Sequence, residues 1–265
     1  VRVGEQVATP DGEGKFVINV PVESIGKQTI RLTAIEEDGS RTDSAIRVLR
    51  IENAEDIKDM HVERRNITDA MTLGVVEPKE EDRFYPQDFI TRAEFARSLA
   101  VVRGLPVDQS LRANITEDVG PDTPYGNHIK AVLDVDYMEL YDDESFRPNG
   151  FISRQDAVIA IVKMENLKPV DNVRVPFRDV PQEASYAPYL MAAVNAGIVR
   201  RGETFNPNGR LDRATAAIMF MNTRHAREKV NNLYNWQKGF GAEFQEEGAA
   251  DGVEELFVEG QKVFF

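Results

Sequence analysis

Cysteine is absent from all 265 residues, which excludes disulfides, thiolate catalysis and cysteine-ligated metal sites, and fits a bacterial extracytoplasmic protein. Long apolar runs are missing too. No stretch of about 18 apolar residues occurs, so nothing reads as a membrane-spanning helix. Positive charge is in deficit, with 32 Lys and Arg against 45 Asp and Glu and a formal net charge of -13. That balance argues against nucleic acid or an anionic membrane as a general partner, since both attract basic surfaces. It leaves room for an anionic ligand held by a few local arginines. Catalytic signatures are lacking: there is no Gly-x-Ser-x-Gly, His-Glu-x-x-His or phosphate-binding glycine loop. His61, His128 and His225 are scattered, none at metal-ligand spacing. Acidic residues are too numerous for any two to stand out as a glycosidase pair. The chain reads as non-catalytic. It opens with Val and carries no signal-like segment, which reads as a processed or excised piece of something longer.

What is present is a motif stated three times. Phe84-Tyr85-Pro86, Phe146-Arg147-Pro148 and Phe205-Asn206-Pro207 are each followed by an arginine eight positions after the Phe: Arg92, Arg154 and Arg213. The phenylalanines lie 62 and 59 residues apart. Self-similarity at such a period marks a repeat architecture whose units bury their apolar faces against one another.

The first 52 residues carry a different period. Lys15–Val20, Gln28–Ala34 and Ser44–Leu49 alternate apolar and polar residues and predict three half-buried strands. Asp11-Gly12-Glu13-Gly14, Ser24-Ile25-Gly26 and Glu37-Asp38-Gly39-Ser40 supply the turns of an antiparallel meander. From Asn53 the periodicity is helical. Each repeat predicts a first helix, a polar loop holding the Phe-x-Pro element, and a second helix. In repeat one the first helix carries Ile67, Ala70, Met71 and Leu73 inward and stops near Gly74. The second starts at Thr91, where Thr91-x-x-Glu94 is a capping box, and Phe95, Leu99 and Val102 share one face. Ser153-x-x-Asp156 and Asp212 mark the same starts in repeats two and three. After Arg227, Glu228 to Lys238 extends or follows the last helix, Gly239-Phe240-Gly241 predicts a break, and one or two short strands with an apolar end follow. That end is expected to dock on this chain or a neighbour.

Ile90-Thr91-Arg92-Ala93-Glu94-Phe95, with looser copies at Ile152-Ser153-Arg154-Gln155-Asp156 and Leu211-Asp212-Arg213-Ala214-Thr215, resembles the closing element of S-layer homology (SLH) repeats. Phe177-x-Asp179-Val180 and Ala196-Gly197-Ile198-Val199 resemble the opening half of such a repeat, and Asp118-Val119 does so more faintly. The first 52 residues look like the C-terminal part of the immunoglobulin-like modules of bacterial surface proteins. About 50 residues are too few for such a sandwich of about 100, so either earlier strands are lost or another surface completes the sheet. The implied architecture is multidomain. A small antiparallel β (Ig-like, incomplete) domain over 1–52 precedes an all-α pseudo-three-fold bundle of SLH repeats over 53–110, 111–170 and 171–226, with a tail over 227–265.

The resemblance implies inter-repeat grooves that bind an anionic, commonly pyruvylated, secondary cell-wall polysaccharide and tether the protein to peptidoglycan at the bacterial cell surface, cell wall or S-layer. Arg92, Arg154 and Arg213 fall where the family's arginine contacts the acidic sugar, and Asp59, Asp118 and Asp179 become groove or structural residues. Each arginine opens a helix, where its charge faces the positive end of the helix dipole at a cost of roughly 0.3–1 kcal/mol. A negative partner is therefore expected there, and Arg grips a carboxylate bidentately. The alternative is that each arginine pairs with an Asp or Glu of the next repeat and staples the bundle. Where the family carries Trp, this chain has Val62, Pro124 and Ser185. Tyr125 and Tyr186, one position later, can replace that aromatic platform in two grooves. Asp136 stands where the other repeats have glycine, which makes repeat two the weakest expected site. Glu80-Glu81-Asp82 and Asp142-Asp143-Glu144 offer hard oxygen ligands to calcium but lack EF-hand spacing. No other cofactor is implied. A second function class also fits: a surface-lattice or appendage assembly protein whose repeats contact neighbouring copies or other surface proteins.

Overall fold

Two ten-residue strands, β3 (Gly26–Ile35) and β4 (Arg41–Arg50), pair antiparallel along their full length through the turn around Gly39. They are described, like the rest of the chain, from a computed structural model covering residues 1–36, 38–58, 63–171, 174–246, 256–258 and 261–263, with only the main chain described from residue 237 onward. The chain divides into two compact units, Asn53–Lys229 and the remainder.

In the first unit the sheet order is β2-β1-β3-β4, where β1 is Arg2–Val3 and β2 is Gln6–Val7. The predicted strand over Lys15–Val20 is not formed. Its alternation finds no partner: β1 already occupies the other edge of β3, Pro21 removes a donor N–H, and Val17 is left 84% exposed. The described residues from Val230 on belong to the same compact unit as this sheet. Arg47 Nη1 donates to the Trp236 carbonyl at 3.1 Å. The Arg47 guanidinium and the Lys27 ammonium sit 5.2 and 5.6 Å from the Trp236 ring centre. Strands β5 (Leu256–Val258) and β6 (Gln261–Val263) pair antiparallel near the predicted positions. The docking expected of the apolar end involves side chains outside the described residues.

The second unit is helical. After a 3₁₀ turn at Glu55–Ile57 come α1 (Arg64–Thr72), α2 (Arg92–Arg103), α3 (Gly126–Asp134), α4 (Arg154–Met164), α5 (Ala187–Asn195) and α6 (Arg213–Met221). The last helix, α7 (Arg224–Glu246), begins here and continues into the first unit. It runs through Gly239-Phe240-Gly241, where a break was expected; a glycine costs a helix interior only about 1 kcal/mol. The second helix of each repeat starts at its predicted cap. Thr91 forms the full capping box with Glu94, and the side chains of Ser153 and Asp212 accept from the N–H groups of Asp156 and Thr215. Ile67, Phe95, Leu99, Val102, Ile129, Val132, Ile161 and Phe220 are fully buried, whereas Leu73, Leu133 and Ile218 reach only the margin of the core.

At the junction of the repeats the chain closes on itself. Ile90 N donates to Leu211 O, Ile152 N to Ile90 O and Leu211 N to Ile152 O, at 3.0–3.3 Å. These three residues, one per repeat, are fully buried.

Candidate functional site

The repeated Phe-x-Pro element is a strained turn held by an aspartate. Tyr85, Arg147 and Asn206, each following the Phe, have φ of 55°, 58° and 56°. The left-handed region disfavours side chains, so the conformation needs support. In repeat two Asp118 accepts from Phe146 N and Arg147 N at 3.0 and 2.6 Å, and in repeat three Asp179 accepts from Phe205 N and Asn206 N at 2.8 and 2.7 Å. In repeat one the same clamp is made by Asp56, to Phe84 N and Tyr85 N at 2.9 and 2.6 Å. Sequence reading named Asp59 as the groove or structural aspartate of repeat one, and it lies outside the described residues. Spacing carried the signal: Asp118 precedes its Phe by 28 residues, and the same step back from Phe84 lands on Asp56. Desolvation pushes the Asp118 carboxyl up, but hydrogen bonds from Phe146 N, the Thr116 hydroxyl and Arg147 N outweigh it and hold the carboxyl below its ordinary range. Asp179 is likewise lowered: desolvation is again overcome by its backbone donors.

Each turn then receives the arginine of another repeat. Arg92 Nε donates to Phe146 O at 2.7 Å, Arg154 Nε to Phe205 O at 2.7 Å, and Arg213 Nε to Phe84 O at 2.9 Å. Repeat one thus reaches repeat two, two reaches three, and three returns to one. The guanidinium lies 4.7, 5.2 and 4.9 Å from the ring of the same Phe. The staple foreseen to a carboxylate is made chiefly to a carbonyl. The helix N-termini are taken up as well. In α2 the N–H groups of Arg92 and Ala93 donate to Gly150 O and Pro148 O, in α4 those of Arg154 and Gln155 to Gly209 O and Pro207 O, and in α6 those of Arg213 and Ala214 to Asp88 O and Pro86 O. The third N–H of each goes to its cap. The positive helix end facing each arginine is therefore answered by main-chain oxygens of the neighbouring repeat, which explains why a cation is tolerated there.

The outer nitrogens distinguish the three arginines. Arg213 is 2% exposed, with Nη2 donating to Glu77 O and Nη1 3.4 Å from a Glu94 carboxylate oxygen. Arg92 is 4% exposed; Nη2 donates to Glu139 O at 2.9 Å and the guanidinium stacks 4.6 Å from the Tyr141 ring. Arg154 is only half-buried, and its Nη groups have no hydrogen-bond or ion-pair partner among the described residues. Burial lowers the pKa of all three, which leaves them cationic.

The groove walls differ correspondingly. Around Arg92 a concavity of about 160 Å³ is lined by Tyr137, Glu139, Tyr141, Asp156 and Lys163 among others, with Lys163 paired to Glu139. Around Arg213 stand Glu77, Glu94 and Arg97, with Arg97 paired to Glu77. At the matching positions of repeat three the residues are Arg200 in place of Glu77 and Glu139, and Thr215 in place of Glu94 and Asp156. Arg200 and Arg201 are exposed.

Tyr125 stands beside the Arg213 groove. It adopts φ 59°, donates its hydroxyl to Glu77 at 3.0 Å and lies under the Arg97 guanidinium. Burial, followed by the nearby Glu77 charge, raises its pKa. Tyr186 is half-buried at the start of α5, and its hydroxyl makes no hydrogen bond among the described residues. Val62 lies outside the described residues. Asp136 adopts φ 56°, matching Gly74 and Gly197 at 65° and 74°, so it keeps the glycine conformation. One carboxylate of each acidic loop has a partner close by in sequence. Asp143 is held down to about 2 by the Ser145 hydroxyl, with help from Arg147 and Ser145 N, and Glu80 accepts from the Tyr85 hydroxyl. Sequence reading missed two buried acids, Asp69 and Glu165. Glu165, 5% exposed, accepts from Arg224 N and His225 N and lies 2.6 Å from His225 Nδ1, so it caps α7.

Residues 55–96, 116–158 and 176–217 match the S-layer homology domain family. Among curated proteins, the chain is 30% identical over 117 residues to S-layer protein EA1 of Bacillus anthracis and 29% identical over 117 residues to an S-layer protein of Bacillus licheniformis. Each match covers 42% of this chain and 14% or 13% of the relative. S-layer protein sap of Bacillus anthracis is 30% identical over 91 residues, 34% of this chain and 11% of that protein. The chain thus spans a small fraction of the length of these relatives.

Proposed function

Since the chain carries three tandem S-layer homology repeats and is a cell-surface protein, we propose that it is a non-catalytic anchoring module that binds an anionic secondary cell-wall polysaccharide through the groove between repeats two and three. One observation carries this reading. Arg154 presents unpartnered Nη groups in a groove whose matching wall positions hold Arg200 and Thr215, with the Asp212 and Asp179 charges acting on it without pairing, whereas Arg92 and Arg213 each have an Nη group bound to a main-chain carbonyl. A half-buried guanidinium with two free donors suits the carboxylate of an acidic or pyruvylated sugar. Asp118, Asp179 and Asp56 act behind the grooves by fixing the turns that receive the arginines. The ring of contacts from repeat one to two, two to three and three to one supports a pseudo-three-fold bundle. A sheet edged by short strands fits a partial immunoglobulin-like module acting as a spacer. Calcium enters this reading only through its acidic loops and is not required by it.

A second reading is a structural role in an S-layer or surface appendage through contacts with neighbouring copies. It is favoured by the engagement of Arg92 and Arg213 in the protein's own main chain, which leaves only one groove with a free cation among these three arginines.

Sedimentation with purified peptidoglycan sacculi, before and after acid stripping of wall polymers, separates the two. Anchoring requires binding that depends on the polymer and falls about tenfold or more, about 1.4 kcal/mol, in Arg154→Ala. Absence of binding to intact sacculi from the source organism would leave the assembly role.

A further inference from the structure

The three residues preceding the buried Ile90, Ile152 and Leu211 are Phe89, Phe151 and Arg210, and all three are exposed. Phe89 and Phe151 are 40% and 42% exposed and meet edge to face, with ring centres 5.6 Å apart. The Arg210 guanidinium lies over both rings, 4.9 Å from Phe151 and 5.6 Å from Phe89. It makes no hydrogen bond or ion pair among the described residues. Main-chain bridges Phe89–Asp212, Thr91–Phe151 and Ser153–Arg210 hold the three positions on the closed ring of repeats. Phe89 also walls a concavity of about 390 Å³, shared with Glu63, Pro86, Gln87, Asp212 and Thr215. The Glu63 carbonyl accepts from Ile67 N, and its carboxylate has no hydrogen bond or ion pair among the described residues.

We propose that this junction is a second carbohydrate site, separate from the grooves, which takes a sugar carrying an acidic substituent. The ring of the sugar lies against the exposed Phe89 face, its hydroxyls donate to Glu63, and its anionic group meets Arg210. The two paired phenylalanines leave a continuous aromatic surface open to solvent beside the Arg210 charge. A guanidinium stacked on aromatic rings keeps its edge donors free for a carboxylate. Charge fixes the orientation: the concavity holds two carboxylates, so an anionic group is excluded there and directed to Arg210. A concave, hydrogen-bonding pocket beside an aromatic platform fits a small ring ligand better than a flat protein face. For its ligand class the proposal rests on the anchoring reading; its residues are independent of Arg154.

The test is NMR of the full chain labelled at Phe, with Phe89→Leu and Phe151→Leu assigning the two rings. The probe is a glucuronate–N-acetylglucosamine oligosaccharide, and a neutral N-acetylglucosamine oligosaccharide is the control. The expected result is a saturable shift of both rings with the acidic probe and weaker binding of the neutral one. Arg210→Gln should cost about tenfold or more in affinity, about 1.4 kcal/mol, while Arg154→Gln leaves the ring shifts in place. Since Arg210 is exposed, its replacement leaves the fold intact, which thermal melting checks. Silent rings while residues around Arg154 respond would overturn this proposal and leave the groove reading standing. Ring shifts with unchanged sacculus binding by Arg154→Ala would do the reverse. Ring shifts that follow protein concentration without sugar would assign the patch to a second copy and overturn the carbohydrate assignment.

Discussion

Removing the guanidinium at Arg213, Arg92 and Arg154 in turn should produce three different losses of stability. Arg213→Ala removes the bonds to Phe84 O and Glu77 O and the pairing with Glu94, and leaves the buried Phe84 carbonyl and the part-buried Glu77 carbonyl without their arginine donor. A hydrogen bond from a charged group contributes about 1.5–3 kcal/mol, and breaking a buried charged contact from one side costs about 3–5 kcal/mol. The expected loss is therefore about 4 kcal/mol, a large share of a domain stability of about 5–15 kcal/mol. For a unit of this size that lowers the melting temperature by about 10 °C. Arg92→Ala loses two hydrogen bonds and its stacking on Tyr141 and should cost about 3 kcal/mol. Arg154→Ala loses one hydrogen bond and one ring contact and should cost about 1–2 kcal/mol.

Urea unfolding followed by circular dichroism measures these losses, with constant m-values checking that the unfolded state is unchanged. Binding to sacculi at a temperature well below every transition supplies the second axis. On the anchoring proposal the order reverses, with Arg154→Ala the mildest in stability and the most damaging to binding. Equal destabilisation by Arg154→Ala and Arg213→Ala would refute the reasoning, because it would mean that the Nη groups of Arg154 are as engaged as those of Arg213.

Three further outcomes are expected. Because the Asp118 carboxyl is lowered below its ordinary value of 3.8, its contribution is fully present above that value and is lost as pH falls through the lowered one; Asp118→Asn should therefore lower stability at neutral pH and flatten the loss between about pH 5 and pH 2, read by acid titration of the urea midpoint. Asp136→Gly should raise stability by about 0.5–1 kcal/mol, since the position already holds φ 56°, and a fall in the urea midpoint would sink that argument. Glu165→Ala removes the cap of α7 from two N–H groups and from His225, and a loss of about 2–4 kcal/mol in urea unfolding is expected.

Local chemistry was legible wherever a few neighbouring residues decide the structure. Thr91 and Glu94 cap α2 as their spacing requires, and Phe95, Leu99 and Val102 point inward together. The failures share a cause: each depended on a partner remote in sequence. Lys15–Val20 has the alternation of a strand, but no free sheet edge receives it. The repeat-one clamp falls to Asp56, 28 residues before Phe84, a partner that no local pattern marks. The arginines look like cations waiting at open helix ends, because sequence cannot show that Gly150, Gly209 and Asp88 present their carbonyls to those ends. The α7 cap at Glu165 lies 59 residues from the N–H that it satisfies, beyond any local pattern.

The motif therefore separates into a part that builds and a part that can bind. Aspartate, left-handed turn, Phe carbonyl and arginine Nε form one circuit repeated three times with nearly the same distances. A ligand that depended on those atoms alone could not tell one groove from another. The walls differ instead: Glu77 and Glu94 flank Arg213, Glu139 and Asp156 flank Arg92, and Arg200 and Thr215 hold those positions in repeat three. A carboxylate about 6 Å from an incoming anion opposes it by roughly 1–3 kcal/mol between water-like and surface-like screening. Lys163 and Arg97 compensate Glu139 and Glu77 in part, and Asp212 acts on Arg154, so the third groove stands out by Arg200 and by the unpartnered Nη groups of Arg154 rather than by a lack of carboxylates. On the anchoring proposal, three copies of one motif thus amount to a single strong groove, and the other two repeats serve chiefly to hold its arginine in place.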